Sequence, residues 1–204
     1  MILLACAVSK ELGFWRERDG VERLVMGVGP VEGAASVAEA LSRQTYELVV
    51  NAGIAGAFDG AARIGDGVVV GEERIELNLE HGEAIGLPRG ERVVESALSE
   101  SSLVAALGAR GFPVVRGITV SRVTSTEETA RRLSESYDAQ VESMEGFAVL
   151  RAAQRAGVAA IEVRGISNRC GARERSGWDF AAGTTGLERV TRALFDILAA
   201  RGDL

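Results

Sequence analysis

The stretch EGFAVLRAAQRAGVAAIEVRGIS, residues 145–167, places an amphipathic segment directly before an apolar run rich in β-branched residues. In its first part, apolar residues recur with the spacing of one helical face, at Phe147, Val149, Leu150 and Ala153. Such a stripe turns one face of a helix toward a core. A helix followed by a buried strand is the repeating unit of an α/β sheet, so this stretch predicts helices packed on the faces of a sheet.

The same alternation of short apolar runs and longer amphipathic segments extends along the whole chain. It predicts strands at residues 2–8, 23–29, 47–53, 66–72, 113–120 and 158–167. It predicts helices at about residues 32–44, 92–109, 126–136, 145–156 and 186–201. Residues 76–93 lack a clear hydrophobic period, and we interpret them as a surface excursion. We expect the whole chain, residues 1–204, to form one domain that includes this segment.

Composition limits the classes of protein to consider. The 204 residues include 23 Lys and Arg against 29 Asp and Glu, a net charge of −6, and 47% are apolar, which is enough to fill a single core. The acidic balance argues against a nucleic-acid binder. The apolar start MILLACAV is too short to span a bilayer and lacks the flanks of a signal peptide. We therefore expect a cytoplasmic protein that binds a small molecule and neither nucleic acid nor membrane.

The rare residues exclude several kinds of chemistry. The chain has one histidine, His81, and one lysine, Lys10, and neither lies in a signature of a catalytic triad or of a Schiff-base enzyme. The two cysteines, Cys6 and Cys170, supply neither a zinc site at a usual spacing nor a disulfide framework. The sequence therefore predicts no metal and no cofactor, and it fits a reducing compartment.

Three glycine-bearing segments end predicted strands, and they are MGVGPVEG (26–33), NAGIAGAF (51–58) and VRGISNRCG (163–171). In an open α/β sheet, ligands bind beyond the carboxyl ends of the strands, where glycine lets them approach backbone N–H groups. Gly27 and Gly29 have the spacing of a dinucleotide-binding motif, but Glu32 takes the place of the third glycine. Tight strand-to-helix turns are therefore favoured over a dinucleotide site.

The segment VESMEGFAV (141–149) places Met144 and Glu145 at a helix start, where a carboxylate can simply cap the helix. Together with VVNAGIAGAF, GDGVVVGE and VRGISN, however, it resembles the nucleoside phosphorylase and nucleosidase superfamily, whose members cleave the bond between a base and ribose. The string from VESMEGFAV to GWDFAAG is most similar to the futalosine hydrolases, the nucleosidases of the alternative menaquinone route. The resemblance implies a three-layer α/β/α fold with a mixed central sheet, and a homo-oligomer.

The resemblance also implies roles for individual residues. Glu11 matches the residue that deprotonates the attacking water, although it could be a solvated loop residue. Glu145 binds the ribose hydroxyls and Met144 packs against the sugar. Asn168 contacts the purine, and because an amide cannot act as an acid, it suits a 6-oxopurine such as hypoxanthine unless it is only a turn residue. The substrate-binding set that the resemblance implies is Ile54, Ala55, Gly56, Val123, Thr124, Ser143, Met144, Glu145, Ser167 and Asn168.

Other functions stay open. A phosphorylase would need an anion site, which the carboxylate of Glu11 would repel, but Ile54 also replaces the Ser that some nucleosidases carry. A methylthioadenosine-type nucleosidase conflicts with Asn168, and a noncatalytic nucleoside-binding protein could keep the same motifs. The benzoate of futalosine would require a cation, and the candidates are Arg122, Arg169, Arg173 and Arg175. Trp178 and Phe180 either close this end of the pocket or pack in the core.

Overall fold

The computed structural model describes residues 1–77, 85–88, 91, 93–171 and 177–202. The strands of this part are β1 (Ile2–Cys6), β2 (Val21–Val25), β3 (Leu48–Ala57), β4 (Gly67–Ile75), β5 (Ser96–Leu98), β6 (Val114–Thr119), β7 (Val141–Ser143) and β8 (Ala159–Arg169). The α-helices are α1 (Pro30–Arg43), α2 (Ser101–Ala109), α3 (Glu127–Tyr137), α4 (Gly146–Ala156) and α5 (Phe180–Arg201). A short 3-10 helix at Ser9–Leu12 follows β1.

The strands form one mixed sheet in the order β2-β1-β3-β7-β6-β4-β5, and β8 pairs with both β3 and β4. β8 runs parallel to β3 and antiparallel to β4, while β7 bridges the end of β3 to β6. Because β4 also pairs with β6, the five strands β3, β7, β6, β4 and β8 form a closed ring of paired strands. All five contribute to one cluster of small and β-branched side chains, among them Ala55, Val68, Val115, Val141 and Ile166.

Helices cover both faces of the sheet because the strands are apolar on both sides. In β1, Leu3 and Ala5 belong to the cluster shared with α1 and α4, whereas Ile2 and Leu4 belong to the cluster shared with α2 and α5. The predicted α/β architecture with a mixed sheet between helical layers is confirmed. Within the described residues, no helix combines the length and the apolar character needed to cross a membrane.

Several predicted boundaries were wrong. The helix predicted at 92–109 begins only at Ser101, where the side chain of Glu100 accepts a hydrogen bond from the Leu103 N–H. The preceding Ser96–Leu98 forms β5 and pairs with β4. The last helix starts six residues before the predicted 186, because Asp179 caps it by accepting from the Ala182 N–H.

Three strands extend beyond their predicted ends, among them β4, which reaches Ile75 rather than residue 72, and two strands, β5 and β7, were missed. β3 and β8 continue to Ala57 and Arg169, beyond the predicted ends at 53 and 167, and they stay paired to those residues. The three-residue strand β7 was not predicted at all. Part of the predicted surface excursion at 76–93 lies outside the described residues, including His81.

Candidate active site

A cleft of about 450 Å³ opens beyond the carboxyl ends of β1, β3 and β8, beside the start of α4. This is the position that the glycine-bearing strand ends predicted. Residues from seven separate segments line it, and they are Ala7, Val8, Lys10, Glu11, Val28, Ile54, Ala55, Gly56, Val123, Glu142, Ser143, Met144, Glu145, Ser167, Asn168, Trp178 and Phe180. Every residue of the predicted site except Thr124 is therefore brought together in one place.

Glu11 lies in the 3-10 helix and is 4% exposed, so its carboxylate is not the solvated side chain that was the alternative. Its Oε2 accepts hydrogen bonds of 3.0 Å from the N–H groups of Ala7 and Val8. Its Oε1 accepts a 2.9 Å bond from the N–H of Ile54. Burial raises the pKa of the Glu11 carboxyl above its ordinary value, although these N–H groups and the guanidinium of Arg164 oppose the rise.

Arg164 is fully buried on β8 and lies directly behind Glu11. Its Nε donates a 2.7 Å hydrogen bond to Glu162, and its Nη1 lies 3.4 Å from the carbonyl oxygen of Ile54. A Cβ on Gly53 would lie 2.3 Å from Nη1 of Arg164 and 2.9 Å from Oε1 of Glu11. The absence of a side chain at Gly53 is therefore what allows both charged groups to pack against β3.

Glu145 precedes α4 but does not cap it, because its side chain makes no hydrogen bond to the first turn of that helix. Its Oε1 instead accepts a 2.7 Å bond from the N–H of Gly29, in the loop before α1. Gly29 has φ of 101°, a conformation that glycine adopts without strain. The segment MGVGPVEG thus serves to hold Glu145 in the cleft, and the alternative of a simple helix cap does not describe this residue.

Asn168 reaches the cleft because of an irregularity in the pairing of β3 with β8. The register shifts so that Ile166 pairs with Ala55 and Asn168 with Gly56, which leaves Ser167 as an extra residue on β8. The Asn168 Oδ1 accepts a 2.9 Å bond from the Ser167 hydroxyl, and its Nδ2 donates to the Arg169 carbonyl at 3.1 Å.

Thr124 is the exception among the predicted binding residues. It is buried behind the cleft, where its N–H donates a 3.0 Å hydrogen bond to Oε1 of Glu142 and its hydroxyl donates to Oε2. Glu142 itself lines the cleft, and burial raises the pKa of its carboxyl while the two bonds from Thr124 lower it. Thr124 therefore positions Glu142, which the sequence prediction did not include.

The mouth of the cleft is apolar with one positive charge. Val28 and Trp178 are 54% and 60% exposed there. The Nζ of Lys10 lies 5.0 Å from the centre of the Phe180 ring. Trp178 also donates a 2.9 Å bond from Nε1 to the Ser167 hydroxyl, so both aromatic residues close the pocket rather than pack in the core.

The arginines proposed for the substrate carboxylate lie elsewhere or outside the described residues. Arg169 forms an ion pair with Asp59 at 2.7 Å, and neither it nor Arg122 lines the cleft. Arg173 and Arg175 fall outside the described residues. In the part of the chain that the structure describes, Lys10 is the only cation in the lining, and there is no cluster of His, Cys, Asp or Glu suited to a metal ion.

Two important residues were missed by the sequence analysis. Arg164 could have been found, since it and Glu162 are charged residues in the middle of a predicted strand that is otherwise largely apolar, and a buried charge needs partners. Glu142 gave no such signal, because the strand that carries it is only three residues long.

Comparison with known proteins shows which proteins the chain is similar to. The Phosphorylase superfamily matches residues 19–200. The chain is 33% identical over 189 residues to the futalosine hydrolase of Thermus thermophilus, covering 88% of this chain and 84% of the relative. It is 39% identical over 184 residues to the futalosine hydrolase of Acidothermus cellulolyticus, covering 84% of this chain and 73% of the relative.

A solved structure shares the fold. The native structure of futalosine hydrolase from Helicobacter pylori matches with a TM-score of 0.80 at 16% identity, covering 97% of each chain. At that identity, the likeness concerns the fold alone. The sequence matches over most of the chain carry the assignment, and this chain belongs to the phosphorylase superfamily and, within it, to the futalosine hydrolase family.

Proposed function

We propose that this chain hydrolyses the N-glycosidic bond of futalosine, releasing hypoxanthine and dehypoxanthine futalosine for menaquinone biosynthesis. The proposal rests on the futalosine hydrolase relatives and, above all, on the environment of Glu11. This carboxylate is buried at the base of the cleft and held by three backbone N–H groups. A fixed carboxylate with a raised pKa is the group that a general base requires.

Glu11 has capacity left for the attacking water. A carboxylate offers about four lone-pair sites, and the N–H groups of Ala7 and Val8 occupy those of Oε2. The N–H of Ile54 uses one site on Oε1, so the second site on Oε1 can accept a hydrogen bond from a water. In our mechanism, Glu11 takes a proton from that water as the water oxygen bonds to the anomeric carbon of the ribose and the bond from this carbon to the base breaks. The base leaves with the electron pair of that bond and takes up one proton to become hypoxanthine, and loss of the proton from Glu11 restores the carboxylate.

Glu145 and Met144 hold the sugar in this mechanism. Oε1 of Glu145 is fixed by Gly29, and its other oxygen, which has no partner among the described residues, accepts the ribose hydroxyls. As the bond to the base breaks, the sugar gains positive charge, and a nearby carboxylate stabilises it. Met144 is only partly buried in the cleft lining, which suits contact with the apolar face of the ribose.

Hydrolysis fits the cleft better than phosphorolysis. A phosphate dianion would have to bind near three carboxylates, those of Glu11, Glu142 and Glu145. The only cation in the described lining is Lys10, at the mouth beside Phe180. Like charges at short range repel, so water is the more favourable nucleophile.

The direct test is to incubate the protein with futalosine, with and without phosphate, and to measure free hypoxanthine. We expect equal release in both conditions, and less release from inosine, which lacks the benzoate that Lys10 and Phe180 could bind. Release that depends on phosphate would make the protein a phosphorylase. Binding without release would make it a nucleoside-binding protein, and a preference for methylthioadenosine would identify the other type of nucleosidase.

The first mutational prediction concerns Asn168. An Asn168→Asp variant is expected to lower kcat/KM for futalosine by roughly 10- to 100-fold, because a carboxylate cannot donate the N–H bond that a 6-oxo group accepts. Activity on methylthioadenosine should rise relative to futalosine. The control is Asp196→Asn, at an exposed position on α5 away from the cleft lining. An unchanged ratio of the two activities would show that Asn168 does not select the base.

We also propose that the protein works as a homo-oligomer in the cytoplasm. The two cysteines are unpaired and buried, as in proteins of reducing compartments. Val28 and Val31, 54% and 76% exposed beside the cleft, would be covered in such an assembly. Light scattering should then give a multiple of 21.5 kDa, and a monomer at micromolar concentration would contradict the proposal.

A further inference from the structure

Two glutamates lie behind the cleft with no access to solvent. Glu73 on β4 and Glu162 on β8 are both 0% exposed. A Cβ on Gly146, at the start of α4, would lie 2.4 Å from an oxygen of Glu73 and 2.7 Å from an oxygen of Glu162. The two carboxyl groups are therefore neighbours beneath the N-terminus of α4, and the missing side chain at Gly146 makes room for both.

The two carboxyl groups differ in their partners. Oε1 of Glu73 accepts hydrogen bonds from the hydroxyls of Thr119 at 2.7 Å and Ser143 at 2.9 Å, but from no cation. Oε1 of Glu162 accepts the 2.7 Å bond from Nε of Arg164. Oε2 of Glu73 and Oε2 of Glu162 both lack a partner among the described residues. Two adjacent buried carboxylates cannot both ionise cheaply, so the one without a cation is the better holder of a proton.

The surrounding charges favour the same assignment. Burial, and next the charge of Glu162, raise the pKa of Glu73 well above its ordinary value. Arg164 is buried too, but the negative charges around it, Glu162 foremost, keep its pKa raised and its guanidinium charged. One ionised glutamate and one arginine form a neutral pair, whereas a second ionised glutamate would leave a buried negative charge.

Arg164 lies between the two buried glutamates and the cleft. Its Nη1 lies 3.4 Å from the Ile54 carbonyl, and the Ile54 N–H donates to Glu11. The charge of Arg164 lowers the pKa of Glu11, and Glu145 raises it. Cys6, the other titratable group near Glu11, has its pKa raised to about 12 by burial and is neutral. The charged groups that face Arg164 are thus Glu11 and Glu145 on the cleft side, and Glu162 with Glu73 behind.

We propose that Glu73 and Glu162 share a single proton, held on Glu73, and that ionised Glu162 is a positioning residue that fixes Arg164 and offsets its charge, thereby setting the basicity of Glu11. This inference rests on the proposed role of Glu11 as the general base. Neither glutamate lines the cleft, so both act without touching the substrate.

The main test is a Glu162→Gln variant made in a Glu73→Gln background, because without the charge of Glu162 the neighbouring Glu73 would ionise and take its place beside Arg164. With the negative charge gone, Arg164 acts on Glu11 without compensation, and the pKa of Glu11 should fall by roughly one unit. The acid limb of the kcat–pH profile, over which activity is lost as the pH falls, should move to lower pH by the same amount. We expect kcat to drop roughly tenfold with KM nearly unchanged, since a weaker base removes fewer protons. The pKa of Glu11 can be measured without turnover, by NMR titration of 13C-labelled glutamate carboxyls.

Three further variants separate charge from structure. Glu162→Asp keeps the charge but cannot reach Nε of Arg164, so the pKa of Glu11 should stay near the wild-type value while kcat falls. It also covers the case in which the double variant does not fold. Glu73→Gln should leave the acid limb in place, because an amide is uncharged like the protonated acid. Glu188→Gln, which removes a surface ion pair with Arg192, is the matched control.

The outcomes are distinct. An unchanged pKa of Glu11 in the double variant Glu73→Gln/Glu162→Gln, an equal shift in Glu162→Asp, or an equal shift in Glu73→Gln alone would each overturn the inference. Absence of hypoxanthine release by the wild-type protein would instead refute the proposed function, and the NMR titration would still decide the relation between Glu162 and Glu11.

Discussion

Replacing Glu11 with Gln is expected to lower kcat for futalosine by about 100-fold or more, because general-base catalysis contributes roughly 10²- to 10⁴-fold. In the variant, an amide NH2 replaces one of the two oxygens. An amide nitrogen cannot accept the bonds that Oε1 or Oε2 now receives, and it cannot take a proton from water. KM should change little, since the variant keeps Glu145 and Asn168, to which our mechanism assigns the contacts with the nucleoside.

The measurement is steady-state kinetics of hypoxanthine release across pH. The wild-type protein should lose activity on its acid side at a pH above the ordinary range of a glutamate, since burial raises the pKa of Glu11, and the variant should lack this limb. Glu17→Gln, at an exposed position four residues before β2 begins, is the control and should retain wild-type activity. A Glu11→Gln enzyme with near-normal kcat would eliminate Glu11 as the base.

Replacing Gly53 with Ala is the second large effect that we expect. The new Cβ would meet Nη1 of Arg164 at 2.3 Å and Oε1 of Glu11 at 2.9 Å, both closer than side chains tolerate. Arg164 is buried and bonded to Glu162, so it cannot move away freely. A displacement of about 1 Å in a catalytic group can cost roughly 100-fold in rate, and we expect a loss of that order. Overpacking should also lower stability by about 1–3 kcal/mol.

Gly13→Ala is the matched control for this substitution. Gly13 follows the 3-10 helix with φ of −59°, and a Cβ there would meet the Lys10 carbonyl at an ordinary 3.4 Å. It should retain activity and thermal stability. Wild-type kcat in Gly53→Ala, with an unshifted acid limb, would mean that Arg164 and Glu11 do not need their observed positions.

The sequence allowed the layers of the fold to be predicted, because periodicity reports which face of an element is buried. The apolar repeat after Glu145 and the strand from 158 to 167 are long enough to give that signal. The three-residue strands β5 and β7 are too short to show a period. Their existence depends on pairing with strands distant in the chain, which no local pattern reports.

The candidate site was predictable to the extent that its residues lie in recognisable segments. Glu145 and Asn168 lie in segments that resemble known nucleosidases, and both line the cleft. The hydrogen bond from Ile54 to Glu11 joins residues 43 positions apart, so no local pattern reveals it. The same is true of Glu73, whose proximity to Glu162 follows only from the closed part of the sheet.

The way Glu11 is held has a consequence for how the sequence can vary. Its three donors are main-chain N–H groups of Ala7, Val8 and Ile54, and every amino acid except proline carries such a group. The side chains at these three positions can therefore be substituted without changing how the carboxylate of Glu11 is oriented. This explains how Ile54, whose side chain offers no hydrogen bond, is compatible with the site: position 54 contributes its amide N–H, and its side chain is free to shape the pocket.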